Sequence, residues 1–290
     1  MELTQLRYFQ TAAYYQHISR AAEELNIYQP ALSTMISRLE KELGVPLFDH
    51  NGRSIILNQN GQRFLQRVNH ILMEVENSKR ELQDIADEGD NSISLAVSSS
   101  QFLQGMHAFM YQHPNYKWNQ RVAENKEIAA LLNRGQIDLA VTSPGIYGEV
   151  FESTLLLRDI FKLAVHKDNP LAQRKSVRLE ELTDQRFIML LKGLPFRTQT
   201  DRIFADLGIT PHYIMECDHL LRRELINANA GVTIASQSAS FRHLFSENIR
   251  FLDIEDVHHT RDIVMVHRKG RYLNRASRQF ADFLKQKFSP

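Results

Sequence analysis

The chain carries a single cysteine, Cys217, among 290 residues. One thiol excludes an internal disulfide and fits a reducing cytoplasm, where the protein is expected to reside. Cys217 itself reads as a small buried residue at the end of a strand. No segment approaches the roughly 20 apolar residues that span a bilayer, and the first thirty residues mix charges with short apolar stretches. Neither a membrane partner nor a signal peptide is expected. Charge of one sign is also lacking, for the formal net charge is +1. Even the first sixty residues set five basic side chains (Arg7, Arg20, Arg38, Lys41, Arg53) against six acidic ones. A bulk electrostatic case for nucleic acid therefore fails, and only placement could make one.

Catalytic and metal-binding patterns are missing too. The twelve histidines are scattered, and His258 and His259, being adjacent, would point to opposite faces of a strand. There is no His-x-x-x-His, no cysteine pair and no carboxylate–histidine cluster, so no metal and no cofactor are expected. A Walker-type glycine loop and a Gly-x-Ser-x-Gly elbow are absent as well. These absences argue against an enzyme and leave no candidate catalytic residue.

What is present centres on Ile18 to Leu43, which reads as two short helices around a tight turn. Ser19 can cap the first, and Ala21, Ala22 and Leu25 form its inner face. The second opens at Gln29-Pro30, with proline in the first turn. Leu32, Ile36, Leu39 and Leu43 make one buried stripe. The opposite stripe carries Pro30, Ser33, Thr34, Ser37 and Lys41. A solvated face is usually crowded with long charged side chains, whereas the first two turns here are small and polar. Such a face lets a helix enter the DNA major groove. An ordinary helical hairpin is the alternative.

Around this pair, a helix from about Thr4 to Tyr15 turns Leu6, Phe9 and Ala13 inward. Gly44 stops the second helix. Asn51-Gly52 marks a hairpin returning through Ser54–Asn58, with Arg53 just past its tip and placed for a minor groove. From Gly61 to Asp87 one long helix repeats Phe64, Val68, Ile71, Val75, Ser78, Leu82 and Ile85 at alternating spacings of four and three, the seam of a two-helix coiled coil. The simplest partner is the same helix of a second chain; packing onto its own chain is the other option. Glu88-Gly89-Asp90-Asn91 then reads as a hinge.

Beyond the hinge, strand and helix alternate. Strands are expected at Ile93–Val97, Trp118–Val122, Ile137–Val141, Phe161–Val165, Phe187–Leu191, Tyr213–Glu216, Val232–Ala235 and Ile263–His267. Helices are expected at Phe102–Gln112, Glu127–Asn133, Thr198–Leu207, Leu220–Asn229 and Arg275–Lys287. This texture predicts an α/β fold with mostly parallel sheets. Ligands collect beyond the C-terminal ends of such strands. The candidates there are Ser98, Ser99, Ser100, Thr142 and Ser143 on one side, and Lys192, Gly193 and Arg197 on the other. Hydroxyls, backbone donors and cations suit a small organic anion, although the serines could equally cap a helix and Arg197 could form a surface ion pair.

The N-terminal run resembles the winged helix-turn-helix of LysR-type transcriptional regulators. Leu6, Phe9, Ala21-Ala22, Leu25, Gln29-Pro30-Ala31-Leu32-Ser33, Ile36, Leu39-Glu40, Leu43-Gly44, Leu47-Phe48, Arg53 and Gly61 stand in that family's order and spacing. Tyr28 replaces the Ser or Thr that usually precedes the Gln-Pro pair, so the second helix lacks a capping hydroxyl. The later half is similar to the same family's effector domain, itself akin to two-lobed solute-binding proteins. The matching pieces are Arg134–Val141, Asn169–Ala172, Ala230–Ala235 and Arg268–Leu273. The chain departs from the family in being a few residues short around Ser100 to Gly105, and in having Ser236-Gln237 where proline is common.

The resemblance implies a winged helix-turn-helix over 1–60, a linker or dimerisation helix and hinge over 61–90, and an effector domain over 91–290. Lobe I of that domain would take about 91–161 and 267–290, and lobe II about 162–266. It implies a ligand-responsive transcription regulator that binds promoter DNA at an interrupted inverted repeat. The protein would pair through the long helix and assemble as a dimer of dimers, with RNA polymerase a further candidate partner. Gln29, Pro30, Ser33, Thr34, Ser37 and Arg38 would face the major groove, Gln29 being best suited to adenine. Ser19, Arg20 and Lys41 would meet phosphates, and Arg53 the minor groove. A small-molecule enzyme or carrier with an N-terminal dimerisation arm is the competing reading.

Overall fold

The computed structural model describes residues 1–51, 54–85, 91–238 and 245–288. Contacts divide the chain into two units. The first comprises Met1–Asn91 with Ala130–Ile137 and Gly270–Arg275, and the second holds Ser92–Ala129, Asp138–Lys269 and Ala276–Pro290.

In the first unit, α1 (Leu3–Tyr15), α2 (Ile18–Glu24) and α3 (Gln29–Leu43) enclose a core of Leu6, Phe9, Ala21, Ala22, Leu32, Ile36 and Leu39. Phe9 is its pivot, with ring centroids 5.5 Å from Phe48 and 5.1 Å from Phe64. The cap of α2 is His17 rather than Ser19, because the helix begins two residues earlier than a Ser19 cap would place it. Tyr28 precedes α3 without a side-chain cap, and Gly44 ends that helix at φ +72°, a left-handed conformation that glycine adopts without strain.

The wing strands β1 (Phe48–Asn51) and β2 (Ser54–Leu57) pair antiparallel up to Asn51 and Ser54. Gly52 and Arg53 lie outside the described residues, and with them the expected minor-groove contact. Glu40 fixes the wing, its carboxylate accepting from the backbone N–H groups of Leu47, at 2.7 Å, and Phe48, at 3.2 Å. A Cβ at Gly61 would meet the Leu47 carbonyl at 2.1 Å, so only glycine lets the next helix approach the wing this closely.

That helix, α4, runs Gln59–Ile85; residues 86–90, and so most of the expected hinge, lie outside the described residues. Its seam does not serve a single partner. Val68 is wholly buried and Phe64 packs beside it in the core of α1 to α3. Ile71, Leu82 and Ile85 remain 39%, 67% and 74% exposed. The expectation that Val68 pairs two chains is therefore corrected, since its own chain covers it, while Phe64 is half-buried there. A different face of α4 is polar. Asn77 donates to the Gly270 carbonyl and accepts from the Tyr272 N–H, while Asp84 accepts from the Tyr272 hydroxyl.

The second unit is built on a sheet in the order β4-β3-β5-β12-β6-β11-β7, with β10 also paired to β6. Here β3 is Ser92–Val97, β4 Lys117–Val122, β5 Leu139–Thr142, β6 Phe151–His166, β7 Ser176–Val177, β10 Thr233–Ser236, β11 Ile249–Ile254 and β12 Thr260–Arg268. β8 (Phe187–Leu190) and β9 (Tyr213–Cys217) pair parallel beside it. The sheet is mixed rather than mostly parallel. β3 runs parallel to β4 and β5, but β12 is antiparallel to both β5 and β6.

The reason is the 16-residue β6. Phe151–Ile160 pair with β12, and Phe161–His166 with β10 and β11. One strand thus passes from the first lobe into the second, and β12 accompanies its first half. Residues 260–266, expected in lobe II, accordingly pair with strands of lobe I. The first lobe's core gathers Leu95, Val97, Leu139, Met265, Phe280 and Leu284, and the second's Leu163, Val165, Phe187, Ile203, Val232 and Leu252.

The remaining helices are α5 (His107–Gln112), α6 (Asn125–Asn133), α7 (Pro195–Asp206), α8 (His219–Asn227) and α9 (Arg275–Phe288). The helix expected over Phe102–Gln112 is split. A single 3-10 turn covers Ser100–Leu103, and Gly105 at φ +79° separates it from α5.

Candidate DNA-reading surface and effector cavity

On the exposed face of α3, Gln29, Pro30, Thr34, Ser37, Arg38 and Lys41 are open to solvent and Ser33 is half-buried, with Leu32, Ile36 and Leu39 beneath them. Two hydroxyls are already engaged. Ser19 donates to the Gln29 Oε1 at 3.1 Å, and Thr34 donates back to the Pro30 carbonyl at 2.8 Å. Arg20, on α2, is exposed. Glu40, an acid on α3 itself, is turned to the wing. Placement thus gives a basic and polar face to a domain with no positive surplus.

In the second unit a cavity of about 110 Å³ opens against Ser98–Phe102, Ser143, Phe196, His219 and Arg261. A neighbouring one of about 220 Å³ shares Ser100, Gln101, Phe196, His219 and Arg261, and adds Arg222, Arg223, Ser236 and Phe245. Two buried guanidinium groups dominate. Arg261 lies 4.8 Å and Arg222 5.5 Å from the centroid of the Phe196 ring. Asp159, directly opposite Arg261 on β6, pairs with it at 3.2 Å and also accepts from the Ser236 hydroxyl and the Ser238 N–H. Arg222 donates to the Ile234 carbonyl, but among the described residues its Nε has no hydrogen-bond partner, nor has the His219 Nδ1.

Burial pushes Arg222 down to about 10, and Arg261 to about 10 despite Asp159. Burial, together with Arg222 and Arg261, lowers His219 to about 4. Each shift reports a charged form short of solvent or countercharge. The cavity is cationic, and the carboxylate Asp159 is committed behind it. Lys287 of α9 holds the 3-10 turn in place by donating to the Phe102 and Gln104 carbonyls.

The family described as "LysR substrate binding domain" matches residues 87–289, and "Bacterial regulatory helix-turn-helix protein, lysR family" matches residues 3–62. The chain belongs to the LysR family. It is a DNA-binding transcription regulator with a domain for a small-molecule effector. A curated relative, the uncharacterized HTH-type transcriptional regulator YybE of Bacillus subtilis, is 31% identical over the whole of both chains. A full-length OxyR variant from Pseudomonas aeruginosa is similar in fold, at 19% identity and a TM-score of 0.62, covering 99% of this chain and 94% of that one. So is full-length CbnR complexed with its target DNA, at 21% identity and a TM-score of 0.56, with complete coverage of both.

Within this LysR regulator the residues singled out from sequence fare unevenly. Ser98, Ser99, Ser100 and Ser143 do line the smaller cavity. Ser98 spends its hydroxyl accepting from the Ser143 N–H at 3.0 Å, and Ser99 caps the 3-10 turn. Thr142 is wholly buried and stands off the cavity wall, while Lys192 and Gly193 are exposed in the turn after β8 and line neither cavity. Arg197 is buried elsewhere, bound to Asp201 and Glu216 at 2.6 Å each and to the Leu190 carbonyl.

Sequence reasoning missed Arg222, Arg261, His219 and Phe196. The only local signal was an arginine pair, Arg222-Arg223, in the middle of an amphipathic helix. Among the described residues no group of three His, Cys, Asp or Glu could hold a metal, and no helix is long and apolar enough to cross a membrane.

Proposed function

We propose that this regulator reads an interrupted inverted repeat with two copies of α3, and that a small organic anion bound beside Arg222 and Arg261 sets its response. In this reading residues 1–60 meet DNA, 61–90 pair two chains, and 91–290 bind effector. Gln29, Pro30, Ser33, Ser37 and Arg38 contact the major groove, Thr34 contributes a methyl and an acceptor, and Arg20 and Lys41 take phosphates. Arg53 is retained for the minor groove on its place in the sequence.

Dimerisation uses Ile71, Leu82 and Ile85, whose exposure on one α4 stripe supports a partner helix. Further pairing of dimers, and contact with RNA polymerase, extend the proposal. The observation that carries the effector assignment is the buried guanidinium of Arg222, which faces a cavity without a carboxylate of its own. A buried charge without a countercharge is costly, and an anion would supply one. Binding shifts the protein's conformation only if it favours one arrangement of the lobes.

The test is a mobility-shift titration on the DNA upstream of the protein's own coding region, with and without organic acids. Equal affinity for that DNA and for random duplex at physiological salt would refute sequence reading. An effector response that survives in Arg222→Gln would refute the cavity.

A further inference from the structure

The cavity beside Arg222 offers cations, apolar rings and the neutral polar side chains of Ser100, Gln101, Gln104 and Ser236, but among the described residues no carboxylate to balance an amine. Its described walls include three arginines and His219, with no Asp or Glu among them. Two acids that adjoin lining residues, Asp159 through Arg261 and Asp218 through His219, are committed. Asp159 holds Arg261, Ser236 and Ser238. Asp218 caps α8, accepting from the N–H groups of Leu220 and Leu221, and does not line the cavity.

An ammonium group placed here would lose its water, find no carboxylate and face two buried guanidinium groups. Phe196, Leu220 and Phe245 supply carbon surface on the same wall, enough for a skeleton larger than an inorganic anion. Resting on the cavity reading above, we infer that the effector is a small organic acid without an amine: its anionic head sits on Arg222, its carbon skeleton lies over Phe196 and Phe245, and α-amino acids are excluded. Exclusion is built into the site by the absence of a countercharge, a form of specificity that acts by leaving the wrong ligand's charge unpaired.

Matched pairs that differ only by the amine test this in the full-length protein. Calorimetric titration would compare succinate with aspartate and 3-phenylpropanoate with phenylalanine, on wild type, Arg222→Gln and Gln101→Glu. Gln101→Glu is nearly isosteric and adds a carboxylate to the wall, so it reports even if Arg222→Gln fails to fold. The expected result is an acid that binds wild type about tenfold or more tightly than its amino counterpart, the scale of one charged hydrogen bond. That preference should narrow in Gln101→Glu, and acid binding should be lost in Arg222→Gln. If amino acid and acid bind alike and both depend on Arg222, the amine exclusion is wrong while the cavity stands. If no acid of the set binds wild type, or if binding is indifferent to both substitutions, the cavity assignment falls.

Discussion

The Ser19 hydroxyl donates to the side-chain amide of Gln29, 3.1 Å away, and so ties α2 to the first turn of α3. Binding adenine through two hydrogen bonds requires the glutamine amide in one orientation, with its NH2 free to donate. Ser19, first read as a helix cap, is engaged instead with the residue best suited to read a base. Gln29→Ala should cost on the order of 1–3 kcal/mol at one base position. Ser19→Ala should give a smaller loss at that same position. Titrations against operators substituted one pair at a time decide the matter, because a phosphate contact would weaken all of them equally.

The stalk predicts two phenotypes from one helix. Leu82→Glu with Ile85→Glu should yield a folded monomer by sedimentation, since both side chains are largely exposed within the chain. Val68→Ala should leave pairing intact but lower the stability of the N-terminal unit by about 2 kcal/mol, from lost burial and a residual cavity. A dimer that survives the double glutamate would remove α4 from the interface.

Asp159→Asn takes the carboxylate away from Arg261 while keeping the side chain's shape. Removing one partner of a buried ion pair costs about 3–5 kcal/mol. The melting temperature without effector should drop, and added organic acid should recover more of it than in wild type, because the ligand's charge now replaces the lost one. An unchanged melting curve would mean that Asp159 does not balance Arg261.

His219, lowered to about 4 by burial and by Arg222 and Arg261, stays neutral in the folded protein across a range where the unfolded chain would be protonated. Its contribution to stability is therefore full above about pH 6.5 and fades as pH falls toward 4. A bound anion would raise this value again and draw in a proton. Effector affinity should accordingly increase from about pH 7 to about pH 5, and His219→Asn should flatten the trend. Affinity independent of pH in wild type would detach His219 from the ligand.

Much was legible without coordinates because it is periodic and local. The spacing of Leu32, Ile36 and Leu39 marks a buried stripe whatever else surrounds it, and it leaves Ser33, Thr34 and Ser37 on the other side. The repeat from Phe64 to Ile85 likewise identifies a long amphipathic helix. Periodicity states that a face is apolar but not what covers it, which is why Val68 and Leu82 looked equivalent yet one is wholly buried and the other largely exposed.

The candidate effector cavity was legible only where a strand end meets a turn, at Ser98–Ser100. Arg222 and Arg261 sit 39 residues apart, each ordinary in its own helix or strand, and they meet only because β6 carries the chain from one lobe to the other. Arg197 shows the converse: it follows a strand end, as ligand contacts often do, yet turns to Asp201 and Glu216. Amino-acid order alone settled which helix has a small polar outer face and which one is the long stalk, since those properties follow from neighbours three and four residues away. Which charges share a buried space, and which go without a countercharge there, was decided by contacts between distant segments, and only the folded chain brings those together.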